Sequence, residues 1–216
     1  MLYELRVYDA RAGKLPALND RFANHTTEFF KDHGIGIVGF WTAEIGTGNQ
    51  LTYMLSFDSM ADREEKWAAF GADPRWQEVR AETEKDGPFV DSVQNSFLRL
   101  TPYSPEPHMT TAIQEMRVYT AMPGKFPALN ERFANHTMKF FENHGIENVG
   151  YWTADVGTSN QLTYMLGYDG LGDREEKWGA FSSDPAWHTV RAASEVDGPL
   201  NRRALNSILR RTSYSP

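Results

Sequence analysis

The run Arg21-Phe22-Ala23-Asn24-His25-Thr26 occurs twice in this chain, and its second copy is Arg132-Phe133-Ala134-Asn135-His136-Thr137. The same offset, from residue 21 to residue 132, aligns residues 4–105 with residues 115–216 without a gap, and more than half of the aligned positions are identical. Two copies are too few for a solenoid, which needs about three to bury a continuous core. The duplication instead predicts two similar domains, over residues 1–105 and 112–216, that face each other like a homodimer joined into one chain.

The composition narrows the classes of function. The 216 residues carry a net charge of −7 and no basic run, so nucleic acid and acidic membrane surfaces are poor partner candidates. The absence of cysteine excludes disulfides, thiolate metal sites and a cysteine nucleophile. No apolar stretch approaches the roughly 18 residues of a membrane span, and patterned sequence begins at Leu2, without a signal-peptide pattern. We therefore expect a cytoplasmic protein.

One repeat predicts the element order β-α-β-β-α-β of a ferredoxin-like unit. Residues 2–8 alternate in polarity as a half-buried strand does, and Gly46-Thr47-Gly48-Asn49 is typical of a hairpin turn. The predicted elements are a strand over 2–8, a helix from Gly13 to Gly34, strands over 37–43 and 51–57, helices starting at Asp62 and Asp73, and a strand over 92–100. The fold class is therefore α+β.

An antiparallel sheet with both helices on one side leaves its other side open. Two copies solve this problem if they pack sheet to sheet as an intrachain pseudo-dimeric α/β barrel with the helices outside. The link over residues 101–111 is long enough to allow this, since eleven extended residues span roughly 35 Å. The internal pseudo-dimer leaves further homo-oligomerisation open.

The strand pattern predicts which side chains face the helices. We expect one apolar face, made of Tyr3, Leu5, Val7, Leu51, Tyr53, Leu55 and Phe57, to receive them. The reverse face would carry Glu4, Arg6, Tyr8, Thr52, Met54 and Ser56. This mixture is too polar for a dry core, and it is typical of a barrel interior that holds a ligand. For the strand over 37–43, the pattern does not decide which side faces inward.

The order of short motifs resembles the NIPSNAP family. The motifs are Tyr3-Glu4-Leu5-Arg6-Val7-Tyr8, His33-Gly34, Gly39-Phe40-Trp41, Asn49-Gln50, Asp62-Arg63 and Asp73-Pro74 before Trp76, and each has a counterpart in the second copy. The resemblance implies a dimeric α/β-barrel fold, whose superfamily includes cofactor-independent monooxygenases, lactone isomerases and haem-dependent enzymes. The family has no agreed activity and no established catalytic residues, so the resemblance assigns none here.

Charged side chains on a central strand are the first candidates for a ligand site. Unpaired buried charge is costly, so Arg6 and Glu4 either form a structural pair or present a guanidinium to a carboxylate or enolate of a ligand. The histidines of the first helix are either hydrogen-bonded at the core edge or act as a base or haem ligand. The candidate ligand-binding residues are Glu4, Arg6, Tyr8, His25, Met54, Asn95, Arg99, Glu115, Arg117, Tyr119, His136, Met165, Asn206 and Arg210.

Two functional hypotheses follow. The first is binding of a small anionic or carbonyl-bearing molecule, with cofactor-independent monooxygenase or isomerase chemistry as its catalytic form. The second is a non-catalytic interaction module with a plugged interior. The histidine spacing shows no metal-ligand pattern, so we expect neither a metal nor a cofactor.

Overall fold

The computed structural model describes all residues from 1 to 216 and divides into two compact units. The first unit comprises Met1–Arg99 with Arg211–Pro216, and the second comprises Leu100–Arg210. The units therefore differ from the sequence repeats at their tails, because the last residues of each repeat belong to the unit of the other. In the first unit, the backbone N–H of Thr212 donates to the Phe40 carbonyl oxygen (3.0 Å), and the Tyr214 hydroxyl donates to Asn19 (2.6 Å).

The first unit has the predicted element order. Its elements are β1 (Leu2–Ala10), α1 (Leu15–Arg21), α2 (Thr27–Asp32), β2 (Gly36–Ile45), β3 (Gln50–Phe57), α3 (Met60–Ala72), α4 (Pro74–Thr83) and β4 (Val90–Leu100). The strands form an antiparallel sheet in which β1 lies between β4 and β3, and β2 pairs with the other edge of β3. The β-α-β-β-α-β prediction is confirmed.

The second unit repeats this plan. Its elements are β5 (Ile113–Ala121), α5 (Phe126–Arg132), α6 (Met138–Asn143), β6 (Glu147–Val156), β7 (Gln161–Tyr168), α7 (Leu171–Ser183), α8 (Pro185–Ser194) and β8 (Asn201–Arg211). The sheet order is β8, β5, β7, β6, again antiparallel. No helix in either unit is both long enough and apolar enough to cross a bilayer.

The first helix of each repeat is interrupted, although the sequence predicts one continuous helix. A π-helical turn over Phe22–Thr26 separates α1 from α2, and an equivalent turn over Phe133–Thr137 separates α5 from α6. The buried Thr26 hydroxyl donates to the carbonyl oxygen of Arg21, five residues earlier (3.3 Å). Such a bond supplies a partner to a carbonyl in the widened turn, and π-helical turns are frequent at functional sites.

The prediction for the faces of β1 is wrong, whereas that for β3 is confirmed. Residues directly opposite each other in an antiparallel pair share a face, and Arg6 lies opposite Tyr53, a member of the core against the helices. Glu4, Arg6 and Tyr8 therefore point toward the helices, while Met54 lies on the other face. Alternation reveals which residues share a face but not the direction of that face, and the opposite choice moves every side chain of the strand.

The short fourth helix of each repeat begins at a capping aspartate, as predicted. The Asp73 carboxylate accepts the backbone N–H of Arg75 (2.9 Å), and Asp184 accepts that of Ala186 (2.7 Å). Each carboxylate also contacts a histidine at the end of the preceding helix pair: the distance from His33 Nε2 to Asp73 is 3.1 Å, and that from His144 Nε2 to Asp184 is 3.0 Å. These contacts join the first helical segment to the second in each unit.

The pKa values of Asp73 and Asp184 are lowered by different neighbours. The hydrogen bond from His144 is the first cause that lowers the pKa of Asp184. At Asp73 the first cause is the side chain of Arg75, which holds the pKa well below its usual range. Alanine replaces this arginine in the second repeat.

We expect His144→Gln to reduce the acid dependence of stability more than His33→Gln does. A lowered carboxylate pKa contributes stability above the unfolded pKa, about 3.9 for aspartate, and this contribution is lost as the pH falls through the folded pKa. Urea unfolding between about pH 5 and pH 2 measures the slope of the free energy with pH. Equal slopes for the two variants would contradict the assignment.

Candidate functional site

A fully buried carboxylate lies at the centre of the first unit's helix-facing sheet. Glu4 accepts hydrogen bonds from Arg6 (2.5 Å), from Arg63 on α3 (3.0 and 2.9 Å), from the Trp67 indole (3.0 Å) and from Asn95 on β4 (3.0 Å). A carboxylate has about four lone-pair sites. Both oxygens of Glu4 are therefore saturated by its own protein.

The charge on Glu4 is stabilised despite its burial. Burial is the largest influence and raises the pKa of Glu4, but hydrogen bonds from Arg63 and Asn95, together with the charge of Arg6, lower it further than burial raises it. The net pKa lies below the ordinary value for glutamate. A buried carboxylate with two guanidinium partners remains ionised at neutral pH.

The Arg6 guanidinium is committed to the same network. Its Nη1 bonds Glu4, its Nε donates to the Tyr53 hydroxyl (2.8 Å), and its Nη2 donates to the Tyr8 hydroxyl (3.2 Å). Its carbon lies 4.6 Å from the Trp67 ring centroid, a cation–π contact. The structure thus brings together Glu4, Arg6, Tyr8 and Asn95, and it supports the structural-pair alternative for Arg6.

The second unit builds the equivalent network around Glu115. The carboxylate accepts from Arg117, from Arg174 (3.0 and 3.1 Å) and from Asn206 (2.8 Å). Arg117 in turn donates to the hydroxyls of Tyr164 (2.9 Å) and Tyr119 (3.1 Å). One contact differs: the Trp178 indole makes no hydrogen bond to Glu115, and its ring centroid lies only 4.1 Å from the Arg117 guanidinium carbon.

A cavity of about 430 Å³ lies between the sheet and the helices of the second unit. Five arginines and one histidine line it, and no aspartate or glutamate does. The basic lining residues are Arg117, Arg132, His188, Arg191, Arg202 and Arg203. The aromatic lining residues are Tyr119, Phe133, Tyr164, Phe141, Trp178, Phe181 and Trp187. The combination of apolar walls with a few convergent charged groups is typical of small-molecule sites.

Arg132 is the buried cation of this cavity. Its side chain is only 4% exposed, and its Nη1 donates to Glu195 (2.9 Å) and Ser194 (3.2 Å). Its Nε makes no hydrogen bond, and neither does the side-chain oxygen of Asn201, which also lines the cavity. A buried polar group without a partner costs free energy. Both groups therefore lack a hydrogen-bond partner within the protein.

The first repeat shares the unpartnered Nε, at Arg21, but differs in the residues that surround it. Arg21, the counterpart of Arg132, lies against two rings, those of Trp76 (5.6 Å) and Phe89 (4.9 Å). Arg132 lies against only Trp187 (5.7 Å), because leucine stands at the position of Phe89. Val90-Asp91-Ser92 likewise corresponds to Asn201-Arg202-Arg203. One face of Arg132 is thus left without an aromatic cover.

Sequence reasoning did not identify Arg132, Asn201, Arg202, Arg203 or His188. Most of these residues lie where the two repeats differ, whereas the predicted site residues are identical in both repeats. One sequence feature could have pointed to them: the two repeats differ at the start of their last strand, although the rest of the repeat is largely identical.

Several other candidates lie away from both networks. Met54 and Met165 are buried on the opposite face of their sheets. Arg99 and Arg210 are exposed and are not among the hydrogen-bond partners of Glu4 or Glu115.

The two histidines of the π-helical turns also fall outside the networks. His25 is half-buried and His136 is exposed, and neither is among the hydrogen-bond partners of Glu4 or Glu115. No group of three or more histidine, aspartate or glutamate side chains is arranged to hold a metal ion.

These features define an α+β protein of the dimeric α/β-barrel class. The chain belongs to the NIPSNAP family, whose family model matches residues 3–105 and again residues 114–216. The NipSnap homolog of Dictyostelium discoideum is 23% identical over 194 residues, which cover 86% of this chain and 78% of that protein.

Two solved structures are similar to this chain in different ways. A NIPSNAP family protein of unknown function from Agrobacterium tumefaciens is 30% identical and covers 47% of this chain and 92% of its own, with a TM-score of 0.42. A protein of Fusobacterium nucleatum assigned as a monooxygenase covers 97% of this chain and 91% of its own at 9% identity, with a TM-score of 0.60. The second likeness concerns the fold alone, and it confirms the predicted fold class.

We expect Glu4→Gln to lower the free energy of unfolding by about 3 kcal/mol, because removing one partner of a buried ion pair leaves Arg6 and Arg63 without their counter-charge. Urea unfolding measures the change. Glu64→Gln, on the exposed side of α3, is the control and should stay within about 0.5 kcal/mol of wild type. A loss at Glu4 as small as that of the control would show that the network does not stabilise the unit.

Proposed function

We propose that the chain binds a small organic anion with an aromatic or otherwise apolar body in the cavity of the second unit. The observation that carries the proposal is the lining: five arginines and one histidine without a carboxylate, including the buried Arg132 with an unpartnered Nε. A planar guanidinium matches the two oxygens of a carboxylate. The aromatic walls supply the surface against which the body of such a ligand packs.

In this proposal Arg132 contacts the ligand, and Arg6 and Arg117 do not. The Nε, Nη1 and Nη2 atoms of Arg6 and of Arg117 already donate to a glutamate and two tyrosines of their own unit. Arg117 therefore forms the floor of the site in the second unit and adds positive charge beneath the ligand.

The first unit supports the alternative of a non-catalytic module. Arg21 is covered by the Phe89 ring, and Asp91 replaces a cavity arginine. We propose that this unit is a structural partner and that each chain binds one ligand.

The same cavity offers a group for cofactor-independent chemistry. His188 Nε2 lies 2.7 Å from the Ser182 carbonyl oxygen and donates to it, which leaves Nδ1 of the neutral ring as a proton acceptor. Removal of a proton from the ligand is the step that such a base would perform in a monooxygenase or isomerase reaction. Gln77 stands at this position in the first repeat and cannot serve as a base. The cytoplasmic location and the absence of nucleic-acid and membrane partners stay predictions.

We expect Arg132→Lys to weaken binding of 2-naphthoate at least tenfold, which corresponds to about 1.4 kcal/mol, because lysine keeps the charge but loses the planar fork. Titration calorimetry at about 150 mM salt measures the affinity, so that surface charges more than roughly 8 Å away are screened. The matched control is Arg21→Lys in the first unit, which should leave the affinity unchanged. The neutral isostere 2-naphthamide should bind more weakly than the acid.

Two results would contradict the proposal. One is the absence of 2-naphthoate binding at millimolar concentration in a protein with native unfolding behaviour. The other is an equal loss of affinity in Arg21→Lys and Arg132→Lys, which would show that the effect does not arise in the cavity of the second unit.

A further inference from the structure

We infer that the ligand of the second unit carries two carboxylates at opposite ends of a flat apolar body. This inference rests on the proposed function and deepens it. The cavity contains two separate sets of cations, one buried and one at the surface, with aromatic side chains that also line the space. Each set has its own physical reason to accept a carboxylate.

The inner set is Arg132 with Arg117 behind it. Arg117 and Arg132 are 9% and 4% exposed, respectively. The Arg117 guanidinium is occupied by Glu115 and two tyrosines, so only Arg132 has a free donor, its Nε. Two buried guanidinium groups face two carboxylates, Glu115 and Glu195, in this region. Arg174, 26% exposed, adds a third cation on Glu115 and leaves the inner end with an excess of positive charge.

The outer set is Arg202 and Arg203 at the start of β8. Both are exposed, and neither forms an ion pair or a side-chain hydrogen bond. Arg191 lines the same mouth, is 62% exposed, and makes a longer contact with Glu195 (3.3 Å). Free cations at the rim of a cavity are available to an anionic group that protrudes from it.

A β-bulge explains how two neighbouring arginines both line the cavity. Adjacent residues of a regular strand point to opposite faces. Here Thr120 pairs with Arg203 while Ala121 pairs with Asn201, so Arg202 is the extra residue of a bulge. A bulge redirects a side chain and is common next to active sites. The bulge therefore brings the extra residue, Arg202, into the cavity lining beside Arg203.

The first unit has the same bulge with the opposite charge. Ala10 pairs with Val90 and Asp9 with Ser92, so Asp91 is the extra residue. Asp91 contacts Arg11 (3.6 Å), and the Ser92 hydroxyl donates to Asp9. In the second unit, threonine stands for Asp9 and methionine for Arg11. The bulge position therefore carries an ion-paired aspartate in the first unit and an unpaired arginine in the second. The fold is the same in both, so it does not require the arginine.

The test compares 2-naphthoate with 2,6-naphthalenedicarboxylate by titration calorimetry at about 150 mM salt, with wild type and the double variant Arg202→Ser, Arg203→Ser. We expect wild type to bind the dicarboxylate at least tenfold more tightly than the monocarboxylate. In the double variant we expect this advantage to fall below about threefold, because the second carboxylate of the dicarboxylate then loses two of the cations at the rim. The altered residues are on the surface, so an unchanged melting temperature verifies the fold.

The outcomes separate this inference from the proposed function. If 2-naphthoate binds in an Arg132-dependent manner and the dicarboxylate binds no better, the inference is overturned while the proposed function stands. A dicarboxylate advantage that survives in the double variant also overturns it, because the outer set would then not be responsible. If neither compound binds, the proposed function fails, and the inference fails with it.

Discussion

Each unit depends on one buried carboxylate placed between its sheet and its helices. Glu4 and Glu115 are both fully buried, and each joins the central strand to the third helix of its repeat through an arginine, Arg63 or Arg174. Because an unpaired buried charge is costly, these contacts fix the helix relative to the sheet. The tyrosines and tryptophans that surround the network are held in turn by the arginines. The space left beside this network is where the second unit has its cavity.

The duplication gives one scaffold twice, and the two copies differ in the residues around the cavity. The network residues are the same in both repeats, as expected if each unit needs them for stability. The residues around the cavity are not: Phe89 corresponds to leucine, Gln77 to His188, and the bulge at Asp91 to Arg202. A second copy that no longer has to perform every task can lose one function while it retains the fold. The differences between repeats therefore carry more functional information than their identities.

The sequence predicted most of the fold and little of the site, for physical reasons. Turn and cap signals such as Asp73-Pro74 act locally, so the element order is readable from the chain alone. The face that β1 turns toward the helices is not set locally. Glu4 faces the helices, where Arg63 and Trp67 on α3 donate hydrogen bonds to it. The break at Phe22–Thr26, where the Thr26 hydroxyl donates to the Arg21 carbonyl oxygen, is not revealed by hydrophobic periodicity. The exchanged tails and the cavity arise from tertiary packing, and no pattern within one repeat encodes them.

The most direct test of the central claim, that the residues in which the repeats differ make the anion site of the second unit, is a transfer of the site. The variant Gln77→His, Phe89→Leu, Val90→Asn, Asp91→Arg, Ser92→Arg gives the first unit the residues of the second. Titration calorimetry with 2,6-naphthalenedicarboxylate then counts the sites in each chain. We predict a stoichiometry of one for wild type and two for the variant. A stoichiometry of two in wild type, or of one in a folded variant, would contradict the account.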